Sequence, residues 1–420
     1  MAEWQTAEQV AQTTGVPVAT LRRWGKSSLV KTQRSTRGTR LYQPHEVATV
    51  RAKLAGEPDD TRYRVLLGNG RERPEQVLPP AETLPVTCID LFAGAGGTAL
   101  GFHNAGFRHG LLSEFDPAAA ATLRENSERL GLGWNIAEGD VRRLDFSGLR
   151  ADVIQAGFPC QAFSYAGKSM GFEDTRGTLF FEFARAIEQV RPAVAVGENV
   201  RGLEKHDGGR TLTTMLNTLD ELGYRVAYRI LRAQYLDVPQ KRERLIMIAV
   251  RKDLDAPILF PQERDYLISL RQALDGVPES PGQRYPEKKR RVMELVPEGG
   301  NWRDLPEGVA REFMGGSWTL PGGRTGMARR MAWDEPCLTL TCAPAQKQTE
   351  RCHPSETRPL TVREYARIQT FPDAWDFQGN LAQQYRQIGN AVPVNLGYHV
   401  ARCVLAMLGA VPRTDDMLEA

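Results

Sequence analysis

Cys160 follows a proline in Gly157-Phe158-Pro159-Cys160-Gln161-Ala162-Phe163-Ser164, directly after an apolar run at 151–156 that reads as a buried strand. A cysteine by itself is as easily a packing residue as a reagent, because reactivity depends on its surroundings. Here the chain offers partners. Glu198 lies in Gly197-Glu198-Asn199-Val200, past a second short apolar run at 193–196, and Arg242 and Arg244 lie in Gln240-Lys241-Arg242-Glu243-Arg244, just before a third at 245–250. A thiolate, a carboxyl group and guanidinium forks able to hold that carboxyl are the parts of a covalent catalyst. Each falls at the end of a predicted strand, where open α/β sheets bind their ligands.

A second constellation would serve a cofactor. The apolar run at 86–92 is followed by Gly94, Gly96 and Gly97 and then by a helix predicted over 98–105. Glycines let the backbone approach a ligand closely, and a helix N-terminus faces it. Glu114 ends the next predicted strand, about 20 residues beyond the glycines, a placement suited to a ribose diol. The turn alone fits a dinucleotide as well as any other adenosine cofactor.

Composition sets outer bounds. The chain has 420 residues, enough for two or three domains, and its 41% hydrophobic and 25% charged content excludes disorder as the main state. No apolar run approaches the roughly 20 residues of a membrane span, and the N-terminus lacks signal-peptide order, so a cytoplasmic location is expected. Six scattered cysteines fit free thiols. The spacing of Cys337, Cys342, Cys352 and His353 matches no usual zinc pattern, and no metal is expected.

The blocks Asp90-Leu91-Phe92-Ala93-Gly94-Ala95-Gly96-Gly97, Pro159-Cys160-Gln161, Glu198-Asn199-Val200, the run from Gln240 to Arg244, Arg358-Pro359-Leu360-Thr361-Val362-Arg363-Glu364 and Gln387-Ile388-Gly389-Asn390-Ala391-Val392-Pro393 occur in that order. In this they resemble the C5-cytosine DNA methyltransferase family. The resemblance implies an α/β, Rossmann-like S-adenosylmethionine-dependent methyltransferase domain at 86–250. It further implies a small irregular target-recognition domain at 251–375 and a return segment at 376–410 that completes the catalytic domain. Cys160 would add to C6 of a flipped-out cytosine in a short duplex site, and Glu198 would serve N3. Arg242 would position Glu198, with Arg244 in support. Phe92, Gly94, Gly96, Gly97, Glu114, Phe115, Asp140, Pro159, Leu179, Asn390 and Val392 would bind S-adenosyl-L-methionine. Gln161, Ser164 and Lys168, in the Gly-rich stretch that would close over the base, would meet double-stranded DNA. A restriction endonuclease acting separately on the same site is the implied partner. An RNA cytosine methyltransferase, or a non-catalytic regulator that keeps the fold as a scaffold, would share several of these blocks.

The first 55 residues read differently. Thr6 and Gln9 form a predicted capping box for a helix that Gly15 ends, and Val18 to Trp24 form a second, arginine-rich helix. Residues 31–42 read as a basic hairpin around Gly38. With Gly15-Val16, Leu21-Arg22-Arg23-Trp24 and Arg40-Leu41-Tyr42, the segment is similar to the MerR-type winged helix-turn-helix, an α-helical DNA-binding domain. Arg22 and Arg23 would enter a groove, and Arg34, Arg37 and Arg40 would sit on the wing. Residues 56–85 have linker composition. The runs Lys288-Lys289-Arg290-Arg291 and Arg329-Arg330 are candidate phosphate binders or merely solvated faces.

Overall fold

The structure, a computed structural model, describes residues 4–26, 30, 32–35, 38–45, 47, 78, 81–159, 179–318 and 325–420. Cys160, Gln161, Ser164, Lys168 and Arg37 lie outside the described residues, as do the side chain of Arg23 and most of the 56–85 segment.

The N-terminal module opens with β1 (Gln5–Thr6) and α1 (Ala7–Thr14). Thr6 accepts from the Gln9 amide while the Gln9 side chain accepts from the Thr6 amide, and Gly15 (φ 68°) ends the helix in the left-handed region. Then come α2 (Val18–Lys26), β2 (Thr32–Arg34) and β3 (Arg40–Tyr42). β3 pairs antiparallel with both β1 and β2, so the hairpin is anchored to the chain start.

The body alternates strand and helix: β4 (Thr87–Leu91), α3 (Gly97–Ala105), β5 (Arg108–Glu114), α4 (Pro117–Arg129), β6 (Ile136–Glu138), β7 (Val153–Ala156), α5 (Leu179–Val190), β8 (Val194–Val200), α6 (Arg210–Glu221), β9 (Tyr224–Arg232), β10 (Gln240–Lys241) and β11 (Glu243–Arg251). Seven of these strands form one sheet in the order β6-β5-β4-β7-β8-β11-β9. The first five are parallel, and β11 runs antiparallel to both β8 and β9. The order reverses between β4 and β7, which opens a crevice beyond their carboxyl ends. Both sheet faces are covered, as the near-continuous apolar strands require. Val196 and Ile246 pack with Phe102, Leu396 and Val404 on one side, while Leu245 and Met247 pack with Phe183 and Ile187 on the other.

Beyond β12 (Leu259–Pro261) the chain is mostly irregular, punctuated by α7 (Leu270–Leu274), α8 (Glu287–Glu294), α9 (Glu307–Met314) and β13 (Cys337–Leu338). It regains order in α10 (Val362–Ile368), α11 (Leu381–Asn390), α12 (Val394–Met407) and β14 (Met417–Glu419). α12 lies against α3 at unusually close range. A Cβ on Gly101 would come within 2.4 Å of the Val394 carbonyl oxygen, so only glycine permits this crossing.

Candidate active site

The crevice at the reversal point encloses about 810 Å³ and is lined from both halves of the sheet. On one wall lie Phe92, Gly94, Gly97, Glu114, Phe115 and Asp140, and on the other Pro159, Leu179, Glu198, Asn199, Arg242 and Arg244, with Asn390 and Val392 between them. Among the described residues expected to bind a cofactor, Gly96 is absent from the lining. Its α-carbon instead faces Leu123 and Trp375.

The Gly-rich turn is shaped by close approach. A Cβ on Gly97 would sit 2.1 Å from the carbonyl oxygen of Val392, so the turn and the segment entering α12 share one floor. Glu114 spans the turn: one carboxylate oxygen accepts from the Gly94 amide at 2.7 Å and the other from the Asp116 amide at 2.7 Å. Burial raises the Glu114 pKa and these backbone bonds oppose the rise. Each oxygen keeps a lone pair for a hydroxyl donor. Phe115 is 71% exposed, an aromatic face open to the crevice. Asp140 caps a short turn and is gripped by Arg142 at 2.6 Å, which holds its carboxyl down at about 2.

The opposite wall carries acid and base chemistry. Residues 194–196 and Glu198 form one strand rather than a strand and its exit, since β8 runs on through Val200. In the β8–β11 ladder Glu198 stands opposite Ile246 and Val200 opposite Arg244. Glu198 and Arg244 are therefore diagonal neighbours on one face, within reach of long side chains. The Arg244 Nε lies 2.7 Å from Glu198 Oε1 in an ion pair, with both side chains 13% exposed. The ion pair expected of Arg242 is thus made by Arg244. Arg242 precedes the paired run and turns into the body, where it donates to the carbonyls of Leu340 (3.3 Å), Gly389 (3.1 Å) and Ala391 (3.0 Å). Burial lowers its pKa, with Arg244 adding to the effect and Glu198 opposing it.

Asn199 was not singled out from sequence, yet its Nδ2 donates to the Phe158 carbonyl at 2.9 Å and ties β8 to the turn entering Pro159. Its place between Glu198 and Val200 in the motif was the available signal. Gly157 is small for a visible reason, since a Cβ there would lie 3.3 Å from Glu198 Oε2.

The two basic runs are not free phosphate binders. Lys288 pairs with Glu312, Lys289 with Glu350, Arg290 with Glu287 and Glu294, and Arg291 with Glu287. Arg330 is buried and donates to the carbonyls of Met293, Val296, His353 and Glu356. In the N-terminal module Arg22 pairs with Glu8 at 2.7 Å, while exposed Arg34 bonds the Gly38 carbonyl across the hairpin. Arg40 lies on β3 beside it. Among the described residues no cluster of three His, Cys, Asp or Glu could hold a metal, and no helix is long and apolar enough to cross a membrane.

Sheet order, crevice and the acid-bearing turn define a Rossmann-like α/β fold with an adenosine-type ligand site at its switch point. Residues 86–406 match the family described as C-5 cytosine-specific DNA methylase, and the chain belongs to that family. It is a DNA (cytosine-5-)-methyltransferase with S-adenosyl-L-methionine as its methyl donor. Residues 6–52 match the MerR HTH family regulatory protein model. Similar curated proteins include the Type II methyltransferase M.Eco47II of Escherichia coli, 49% identical over 96% of this chain and 95% of that one. The Type II methyltransferase M.PspPI of Psychrobacter sp. (strain TA137) is 53% identical over 77% of this chain and 80% of its own. Among solved structures, the Entamoeba histolytica methyltransferase EhMeth shares the fold, with a TM-score of 0.53 and 14% identity over 78% of this chain and 99% of that chain.

Proposed function

We propose that this chain methylates C5 of a flipped-out cytosine within a short duplex sequence, through a covalent bond between Cys160 and C6. The observation that carries the reading is the Glu198–Arg244 pair, set on the wall that leads from Pro159 and facing the Glu114–Phe115 wall across one crevice. Cytosine C5 is a weak nucleophile, and addition of a thiolate at C6 pushes electron density toward N3 and C5. The Glu198 carboxyl meets N3, and Arg244 holds that carboxyl in place. S-adenosylmethionine supplies an electrophilic methyl group. Loss of the C5 proton then expels the Cys160 thiolate and restores the enzyme.

The cleft fits such a donor. Glu114 offers acceptors for a ribose diol, Phe115 a face for a purine, and Gly94 and Gly97 a floor of bare backbone. Phe92, Asp140, Pro159, Leu179, Asn390 and Val392 frame it. C6 is unreachable in a stacked duplex, so the base leaves the helix, at a cost of a few kcal/mol. Gln161, Ser164 and Lys168 contact the duplex in this reading. Residues 86–250 and 376–410 form the catalytic domain and 251–375 the target-recognition domain. The module at 1–55, with Arg22, Arg23, Arg34, Arg37 and Arg40, binds DNA separately and represses the chain's own promoter. A restriction endonuclease acting separately on the same site is the expected companion.

The test uses duplex DNA with 5-fluorocytosine at target positions, labelled S-adenosylmethionine, wild type and Cys160→Ser. Fluorine cannot leave as a proton does, so an adduct that survives denaturation and requires Cys160 is expected. Labelled product from ordinary DNA without any Cys160-dependent adduct would sink the nucleophile assignment.

A further inference from the structure

The N-terminal module does not close its own core. Val10, Val16, Leu21, Val30, Tyr42 and Val47 carry it, drawn from residues 5–47. A segment of that length is near the size below which a single apolar core stops sufficing, about 40 residues. The cluster gains one more buried member from the body: Leu267, between β12 and α7, is 8% exposed. Tyr235, from the connection that follows β9, packs against the same cluster.

Both residues sit on connections whose other ends brace the cleft. The Ala233 amide donates to the Arg242 carbonyl at 2.8 Å, and the Arg264 amide donates to the Tyr235 carbonyl at 2.8 Å, joining the two connections. Tyr266, beside Leu267, donates its hydroxyl to Asp237. The Asp237 backbone carbonyl accepts from Asn395 Nδ2 at 2.7 Å, and its carboxylate meets His399 Nε2 at 2.7 Å. Asn395 and His399 belong to α12, whose preceding residues Asn390 and Val392 line the cleft. The module's seat and the cofactor floor are therefore linked through packed, hydrogen-bonded groups.

We propose that Tyr235 and Leu267 form a docking surface for the N-terminal module, and that its seating there couples module and methyl-transfer cleft. A ligand in the cleft then steadies the module on its seat, and a seated module raises affinity for that ligand by the same factor. The probe is S-adenosylhomocysteine, and the readout is hydrogen exchange along the full chain for wild type, Leu267→Ala and Leu267→Met. Protection at Gly94 and Gly97 reports cleft occupancy in the same data. In wild type, saturation slows exchange at Val10, Leu21 and Tyr42 by about fivefold, a typical coupling factor. Leu267→Ala speeds those amides by about tenfold or more and removes their response to the probe, while volume-conserving Leu267→Met restores both. Module amides indifferent to Leu267→Ala would overturn the docking. Wild-type module amides indifferent to a cleft shown to be filled would overturn the coupling.

Discussion

Two arginines separated by a single residue should fail in different ways when removed. Arg244→Ala takes away a partner held at 2.7 Å in a site where both side chains are 13% exposed. An ion pair in such a half-dry place is worth about 2–4 kcal/mol to whatever depends on its geometry, or roughly 30- to 1,000-fold in kcat/KM. Global stability should barely move, because Glu198 borders the open cleft and water can replace the lost donor. Arg242→Ala strands the main-chain carbonyls of Leu340 and Gly389 in the interior and leaves that of Ala391 only its bond from Gln369 Nε2. Buried acceptors left empty cost about 1–3 kcal/mol each before relaxation, so a net loss of about 3–5 kcal/mol is expected. At about 2–4 °C per kcal/mol the melting midpoint falls by roughly 6–20 °C. The assay pairs thermal melting with single-turnover methyl transfer, run well below both midpoints. Arg244→Lys should recover only part of the rate, since an ammonium does not reproduce the directed guanidinium contact. If Arg242→Ala melts like wild type and loses as much rate as Arg244→Ala, the division of labour drawn from the register is wrong.

Gly97→Ala places a methyl group 2.1 Å from the Val392 carbonyl oxygen and must push α3 away from the segment entering α12. Calorimetry should find S-adenosylhomocysteine binding weakened by about tenfold or more, and wild-type affinity would refute a shared floor. His109 is buried beside Trp134 with neither ring nitrogen hydrogen-bonded, and burial lowers its pKa to about 3. A depressed folded-state pKa means the contribution is whole above the unfolded value near 6.5 and is lost as pH falls toward 3. His109→Phe should remove a slope of up to about 1.4 kcal/mol per pH unit from urea unfolding between pH 6 and pH 4. An unchanged slope would show that this imidazole does not stay neutral in the fold.

Much of this was legible before any coordinates. The run at 245–250 is apolar throughout, and that at 86–92 apolar but for Thr87 and Asp90, because the sheet is covered on both faces, and that pattern is local. The Thr6 capping box and the Gly15 stop were equally plain, each spelled within a few residues. The partner of Glu198 was not, because Arg242 and Arg244 differ only in where the β8–β11 ladder begins. Register is a property of two strands and is written in neither alone. In sequence the basic run at 288–291 stays open between phosphate binder and solvated face for a related reason: Glu287 and Glu294 are neighbours in sequence, but Glu312 and Glu350 arrive only through the fold.

The glycine-to-glycine crossing of α3 and α12 also has a consequence for biosynthesis. Gly97 and Gly101 are made long before the backbone they rest on, Val392 to Gly397. Until that backbone is made, the nascent chain carries a Gly-rich turn with no floor and an α3 helix whose close-packing stripe faces water. A polypeptide cut short anywhere before α12 therefore has no finished cofactor cleft, and incomplete copies cannot mark DNA. Competence arrives in one step, when α12 slides into place.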